Sequence, residues 1–159
     1  MEKLLKILSE NARISNQQLA VMLNMSEAEV KAKIAECEEA GILQGYKAVV
    51  DWEKVDKEYL TAFIEIKVTP KRDWGFDEIA NMIANFEEVE SVYLMSGGYD
   101  LFVTVSGRSF KDVALFVAKR LSPMDSVLST ATHFILHKYK EKNIMMGTSP
   151  KDEREVTTL

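Results

Sequence analysis

Gly97-Gly98-Tyr99-Asp100 sets two residues that leave the backbone accessible beside one fixed negative charge, and Thr130 and Thr132 add hydroxyls at period two, with Ser129 facing the other way. One reading is turn chemistry, with glycines for backbone conformation and an aspartate satisfying nearby N–H groups. The other is a ligand site, where the glycines let a ligand's charged end approach the backbone and Asp100 receives its ammonium group. A second stretch, Ser26-Glu27-Ala28-Glu29-Val30-Lys31-Ala32-Lys33, has acids where a helix start favours them and two lysines further on that a polyanion would meet. Cys37 lies on the apolar stripe that carries Val30, where a small buried hydrophobe is expected. As the single cysteine it forms neither an intrachain disulfide nor a cysteine-rich zinc site. His133 and His137 fall on an expected strand, on one side but roughly 13 Å apart, too far to share a metal ion alone. No Gly-rich phosphate loop, Cys/His ligand set or nucleophile–base pairing occurs, so no enzyme, metal site or cofactor is expected.

The elements that position these residues fall into two groups. Leu4, Ile7 and Leu8 repeat at helical spacing. Ser15 precedes Gln18 in a capping-box arrangement for a helix holding Leu19, Ala20 and Leu23. Ser26 and Glu29 repeat the device for a helix with Val30, Ile34 and Cys37 on one face, ended by Gly41. Three short helices, the last two separated by a tight turn at Asn24-Met25, read as a helix-turn-helix. Ile42 to Val50, around Gly45, is β-type and short enough for a two-stranded wing. In such a module the N-terminal half of the last helix meets base edges while flanking donors hold phosphates. Ser26, Ala28, Glu29, Lys31, Ala32 and Lys33 are then the groove residues, with Arg13, Gln17, Gln18 and Lys47 as backbone contacts. Double-stranded DNA is the first partner to expect. Over residues 1–52, six lysines and arginines stand against eight carboxylates, a balance of −2. Counterion release per module is therefore small, and useful affinity has to come from several modules in an oligomer. The competing reading is a helix kept only as structure.

Residues 51–59 are polar and read as a linker. From Leu60 the period becomes two: Leu60, Ala62, Ile64, Ile66 and Val68 alternate with Thr61, Phe63, Glu65, Lys67 and Thr69, and Pro70 closes the strand. Phe76, Ile79, Ala80, Ile83 and Phe86 return to helical spacing. A strand from Val89 to Ser96, a primed turn at Gly97-Gly98 and a strand from Asp100 to Ser106 follow. A helix carrying Phe110, Val113, Ala114, Val117 and Leu121 ends before Pro123, and a last strand runs from about Ser126 to Tyr139. The order β-α-β-β-α-β is a split βαβ, ferredoxin-like unit with both helices on one face of an antiparallel sheet. Phe63, Phe102 and either Phe134 or Ile135 would point to the other face, too much apolar surface for a monomer, so at least a homodimer is expected. The fold class is thus α/β with two domains: a winged helix-turn-helix over 1–50, a linker over 51–59, a βαββαβ ferredoxin-like domain over 60–140 and a polar tail over 141–159.

The chain has 159 residues, 47% hydrophobic and 28% charged, with three prolines and seven glycines, which fits small folded domains rather than a disordered chain. Its net charge of −5 argues against a wholly basic nucleic-acid coat but leaves room for a local positive patch. No apolar run approaches the roughly 20 residues needed to cross a bilayer. The start, Met1-Glu2-Lys3-Leu4-Leu5-Lys6, reads as an amphipathic helix rather than a leader, so a cytoplasmic protein with no membrane partner is expected.

Taken together, Asn11-Ala12-Arg13-Ile14-Ser15-Asn16, Leu19-Ala20, Ser26, Glu38-Glu39-Ala40-Gly41-Ile42-Leu43 and Gly45-Tyr46, followed by Tyr93-Leu94-Met95-Ser96-Gly97-Gly98-Tyr99-Asp100-Leu101 and Leu128-Ser129-Thr130-Ala131-Thr132, resemble the Lrp/AsnC (leucine-responsive, feast/famine) family of transcription factors. The match runs from about Leu4 to Lys140. The resemblance implies a DNA-binding winged helix and a C-terminal RAM domain that dimerises through its sheet, often assembles four dimers into a ring, and binds a small effector, usually an amino acid, between dimers. It also implies that Met95, Gly97, Gly98, Tyr99 and Asp100, with Thr130 and Thr132, line the effector cleft. One departure stands out: the family commonly shows small or hydroxyl residues early in the groove helix and several arginines after them, whereas this helix has Glu27, Glu29 and no arginine.

Overall fold

The computed structural model describes residues 1–55, 58–69 and 75–147. The expected strand stop at Pro70 and most of the expected tail lie outside the described residues. The chain divides into two compact units, Met1–Val49 and Val50–Leu159.

In the first unit, α1 (Glu2–Glu10), α2 (Asn16–Leu23) and α3 (Glu27–Glu39) bury Leu4, Leu8, Leu19, Ala20 and Val30 in one cluster, with Ile7, Ile14, Leu23, Met25, Ile34 and Leu43 packed around it. Both capping boxes form. The Gln18 N–H donates to Ser15 Oγ at 3.2 Å and the Ser15 N–H to Gln18 Oε1 at 3.1 Å, closing the start of α2. The turn between α2 and α3 is made by Asn24 in the left-handed region (φ +53°), a conformation asparagine tolerates better than most residues. Gly41, at φ +65°, ends α3, and the Ile42 and Leu43 N–H groups return to the Cys37 carbonyl at 2.9 and 3.0 Å. Cys37 is fully buried.

The two-stranded wing expected over residues 42–50 is not formed: the segment carries no strand and has no ladder partner among the described residues. No residue between Ile42 and Val50 takes a positive φ, Gly45 included, so nothing reverses the chain as a tight hairpin requires. Leu43 is drawn onto the helical core and the Tyr46 hydroxyl donates to Glu38 Oε1 at 3.0 Å, which holds the segment along α3.

The second unit begins with a short helix α4 (Trp52–Val55) and continues as β1 (Leu60–Val68), α5 (Asp77–Ala84), β2 (Val89–Leu94), β3 (Leu101–Gly107), α6 (Phe110–Phe116) running into a π turn (Val117–Leu121), and β4 (Val127–Phe134). The strands form one antiparallel sheet in the order β2-β3-β1-β4. Ala62, Ile64, Ile66, Val68, Leu101, Val103 and Val105 pack with Ile79, Ile83, Val113, Phe116 and Leu121 as the core beneath the helices. That segregation follows from the period-two alternation in β1 and β3.

Three expectations for this unit are corrected. Gly97 and Gly98 do not form a primed turn: neither has a positive φ, and a longer connection over residues 95–100 is closed by the Met95 N–H on the Asp100 carbonyl at 2.8 Å. The last strand stops at Phe134 rather than reaching Tyr139, its edge ending with the Ile135 N–H on the Thr61 carbonyl at 3.0 Å. The chain then forms a small hairpin, β5 (Lys140–Glu141) with β6 (Ile144–Met145), turned by Lys142 and Asn143 at φ +47° and +67°. His137 is therefore off the strand and does not share a side with His133. Phe134 sits opposite Ala62, on the helix side, edge-on to Phe110 at 4.7 Å.

Candidate functional site

The last helix of the helix-turn-helix shows solvent the residues a groove would meet: Glu27, Ala28, Lys31 and Ala32 are exposed, while Val30 and Cys37 anchor the opposite face. Its N-terminus is internally satisfied. The Glu29 N–H donates to Ser26 Oγ at 3.2 Å, and Glu29 Oε2 accepts from the Ser26 N–H at 2.8 Å and its hydroxyl at 2.7 Å. The backbone N–H and then the hydroxyl of Ser26, with help from Lys33, hold the Glu29 carboxyl below the ordinary glutamate range. Glu29 is thus a capping residue. Lys31 Nζ lies 3.0 Å from Glu27 Oε1 one turn back, an exposed pair. Gln18 is likewise committed to its cap, whereas Arg13, Gln17 and Lys47 are exposed on the same unit. The exposed start of the helix thus presents Ala28 and Ala32, with Lys31 paired to Glu27 and Glu29 turned to the cap.

In the second unit, Asp100 extends the sheet past the end of β3. Its N–H donates to the Ile66 carbonyl at 3.0 Å and its Oδ2 accepts from the Val68 N–H at 2.9 Å, where the register of β1 against β4 shifts. The turn-chemistry reading of this aspartate is therefore realised. Among the described residues no hydrogen bond engages Oδ1, which leaves it able to receive a ligand donor as well. Thr130 pairs with Ile66 from the other edge, so Asp100 and Thr130 flank one residue of β1 and lie two strand spacings apart, about 10 Å. Thr132 pairs with Ile64, and both threonines face the helix side, half-buried. Met95, Gly97 and Gly98 are exposed, and a side chain built at either glycine meets nothing within 4 Å, so the loop backbone is open to approach.

The other sheet face carries a row of rings. Tyr99 lies against Phe102 at 6.1 Å and Phe102 against Phe63 at 5.0 Å. Beside them His133 Nε2 stands 3.5 Å from Glu65 Oε1. Sequence reasoning missed this pair, although the alternation that places Phe63 outward also places Glu65 there. It missed a second carboxylate–histidine contact too: Glu53 Oε2 lies 2.9 Å from His137 Nδ1, joining α4 to the segment after β4. Trp52 stacks on Tyr59 at 5.4 Å in the same region. Among the described residues no group of three or more His, Cys, Asp or Glu could hold a metal ion, and no helix is long and apolar enough to cross a membrane.

An exposed, capped recognition helix joined to a βαββαβ domain with an open loop defines a DNA-binding regulator with an attached ligand-binding module. Comparison with known proteins agrees. The Lrp/AsnC ligand binding domain matches residues 61–145, and the winged helix-turn-helix DNA-binding domain matches residues 2–44. YugG of Bacillus subtilis (strain 168), described as an uncharacterized HTH-type transcriptional regulator, is 49% identical over 157 residues, 98% of this chain and 95% of its own. An HTH-type regulator of Pyrococcus furiosus is 36% identical over 139 residues, 87% of this chain and 90% of its own. The solved transcriptional regulator of Neisseria meningitidis in complex with L-Met superposes with a TM-score of 0.71 at 25% identity, covering 87% of this chain and 89% of that one. The chain belongs to the Lrp/AsnC family of transcriptional regulators, which are not enzymes.

Proposed function

We propose that this regulator responds to an amino acid bound at the 95–100 loop, and that it works as a homodimer, assembled further into a ring of dimers, formed through the sheet face bearing Phe63 and Phe102. The observation that carries the effector reading is Asp100: one carboxylate oxygen splints β1 while the other stays available beside two open glycines. The ammonium of the effector meets Asp100 and its charged end runs along the backbone at Gly97 and Gly98 beside Met95, while Tyr99 on the ring face and Thr130 and Thr132 on the helix side border this end of the sheet from opposite faces. Because the loop is exposed in a single chain, cover has to come from a neighbouring protomer, which makes effector binding and assembly one linked equilibrium. Ala28, Lys31, Ala32 and Lys33 meet the groove, Ser26 and Glu29 fix the helix that presents them, and Arg13, Gln17 and Lys47 approach the backbone while Gln18 holds the start of α2. The pairing of Lys31 with Glu27 supports weak binding per module and a summed affinity over several modules. The L-Met complex of the Neisseria relative makes apolar amino acids the first effectors to test.

The test is enrichment of host-genome fragments on the purified protein at two salt concentrations, with and without a mixture of amino acids. Reproducible enrichment of a few fragments, weakened by salt and altered by the mixture, is expected; no enrichment at low salt by folded oligomer would remove DNA reading. In Asp100→Asn, whose amide oxygen can still accept from Val68, the response to the mixture should fall while the oligomer persists. Phe102→Glu should yield monomers in sedimentation; an unchanged assembly would exclude this sheet face.

A further inference from the structure

The chain enters the second unit through residues 50–55, and the segment that follows β4 returns to hold it there. The helix α4 is a single turn of four residues, and β5 and β6 have two residues each in a sheet of their own. Neither a one-turn helix nor a ribbon of that length is stable alone, so each needs contacts from outside itself. They obtain them from one another. Glu53 on α4 meets His137 Nδ1 through Oε2 at 2.9 Å, and its Oε1 accepts from the Lys138 N–H at 3.4 Å. A second anchor lies past β6. Asp51 accepts from Lys54 Nζ at 3.0 Å and from the Gly147 N–H, and Lys54 first, with Gly147 after it, holds the Asp51 carboxyl below the ordinary aspartate range. A methyl group at Gly147 would collide with the Lys54 ammonium, so this close approach uses the absence of a side chain. Between the anchors, Met146 shares a small cavity with Trp52 and Tyr59, whose rings stack at 5.4 Å. The closure is incompletely satisfied: His137 Nε2 is buried with no hydrogen-bond partner among the described residues, a cost that brings the closed and open forms nearer in energy.

We propose that residues 136–147 are a strap that closes over residues 50–55 and opens as one piece, and that its closure restrains the chain where the helix-turn-helix unit is attached and so sets DNA affinity. This rests on the reading above that DNA is gripped by several modules whose affinities sum. That sum depends on the effective concentration of the next module once the first has bound, and a tether loosened at its base lowers the concentration without altering any contact to DNA. Because the two short elements stand only together, damage at one anchor is felt at the other. The base of the strap does not move with it, since the Ile135 N–H is bonded to the Thr61 carbonyl at the sheet edge.

The experiment compares the full chain with Glu53→Ala and, separately, Gly147→Ala, by residue-resolved amide hydrogen exchange and by retention of the enriched genome fragments. Both positions lie outside the two buried clusters, so the variants keep their cores. Glu53→Ala should speed exchange about tenfold at the Met146 N–H, whose bond to the Tyr139 carbonyl at 3.0 Å lies within the hairpin and uses no atom of Glu53. Gly147→Ala should do the same at the Lys138 N–H, held by Glu53 at the other anchor. The Ile135 N–H should keep its rate in both, and each variant should weaken DNA retention about threefold or more. Met146 and Lys138 amides that exchange as in the unaltered chain would overturn the strap. Faster exchange with DNA retention unchanged would overturn its hold on affinity while leaving the DNA reading standing. An unaltered chain that retains no fragment would remove the DNA reading and this proposal with it.

Discussion

The two units differ in where the polar contacts that set their functional faces come from. In the helix-turn-helix unit the helix starts and the groove face use partners close by, Ser15 with Gln18, Ser26 with Glu29, and Lys31 with Glu27, each within one helical turn, with Tyr46 on Glu38 and Lys3 on the Met22 carbonyl as longer reaches. In the second unit, contacts reach across the sequence, from Asp100 to Val68 and from His137 to Glu53. The two buried side-chain atoms without a hydrogen-bond partner among the described residues, Glu88 Oε2 and His137 Nε2, both lie there. A unit that docks as a rigid body on a polyanion gains from having its helices fixed in advance. In the second unit the tertiary fold instead brings together groups that lie far apart in the sequence.

The strongest way to break this comparison is to damage one core and look for effects in the other unit. Leu19 is fully buried in the helix-turn-helix cluster, and Leu19→Ala should cost about 2–5 kcal/mol of that unit's stability. Denaturant unfolding would show the loss, with DNA retention abolished and amino-acid binding intact; a loss of amino-acid binding as well would mean the units do not divide the work. Next in size, Ser26→Ala removes the cap of α3 and should cost about 1 kcal/mol, read as a lower thermal midpoint. Glu27→Gln frees Lys31 from an exposed pair whose own contribution is small, so stability should change by less than about 1 kcal/mol while affinity for DNA at low salt rises roughly two- to fivefold. An unchanged affinity would place Lys31 outside the interface.

The smallest effect concerns pH. The Glu29 carboxyl is held below its ordinary range in the folded chain, so its contribution is complete above the ordinary glutamate value and is lost as pH falls through the lower, folded-state value. Thermal stability followed down through that acid window should decline in part through Glu29, and Glu29→Gln should flatten that part of the slope. An identical profile in the variant would show that the cap does not depend on the charge.

What could be read in advance differed between the units for the same reason. The caps of α2 and α3, the Asn24 turn and the stop at Gly41 are settled within five residues or fewer, so residue types and spacing were enough. The alternation in β1 likewise gave the buried set Ala62, Ile64, Ile66 and Val68. The segment after Gly41 was misread because β-type residues around a glycine look alike whether they fold back or run on, and the choice fell to Leu43 and Tyr46 contacting the helices. Gly97-Gly98 looked like a tight turn, yet Asp100 bonding to Ile66 and Val68 set a longer connection. Phe134 could have faced either way until pairing with Ala62 fixed its side.

By itself, then, the sequence determined the helix ends, the period of each element, the βαββαβ order and the family to which the chain belongs, because these depend on near neighbours along the chain. Only the tertiary structure decided which face Phe134, Thr130 and Thr132 occupy, that Asp100 splints β1, and that Glu88 Oε2 is buried without a donor among the described residues. Those outcomes depend on strand register and on residues far apart in sequence, where a shift of one position reverses a side chain's face.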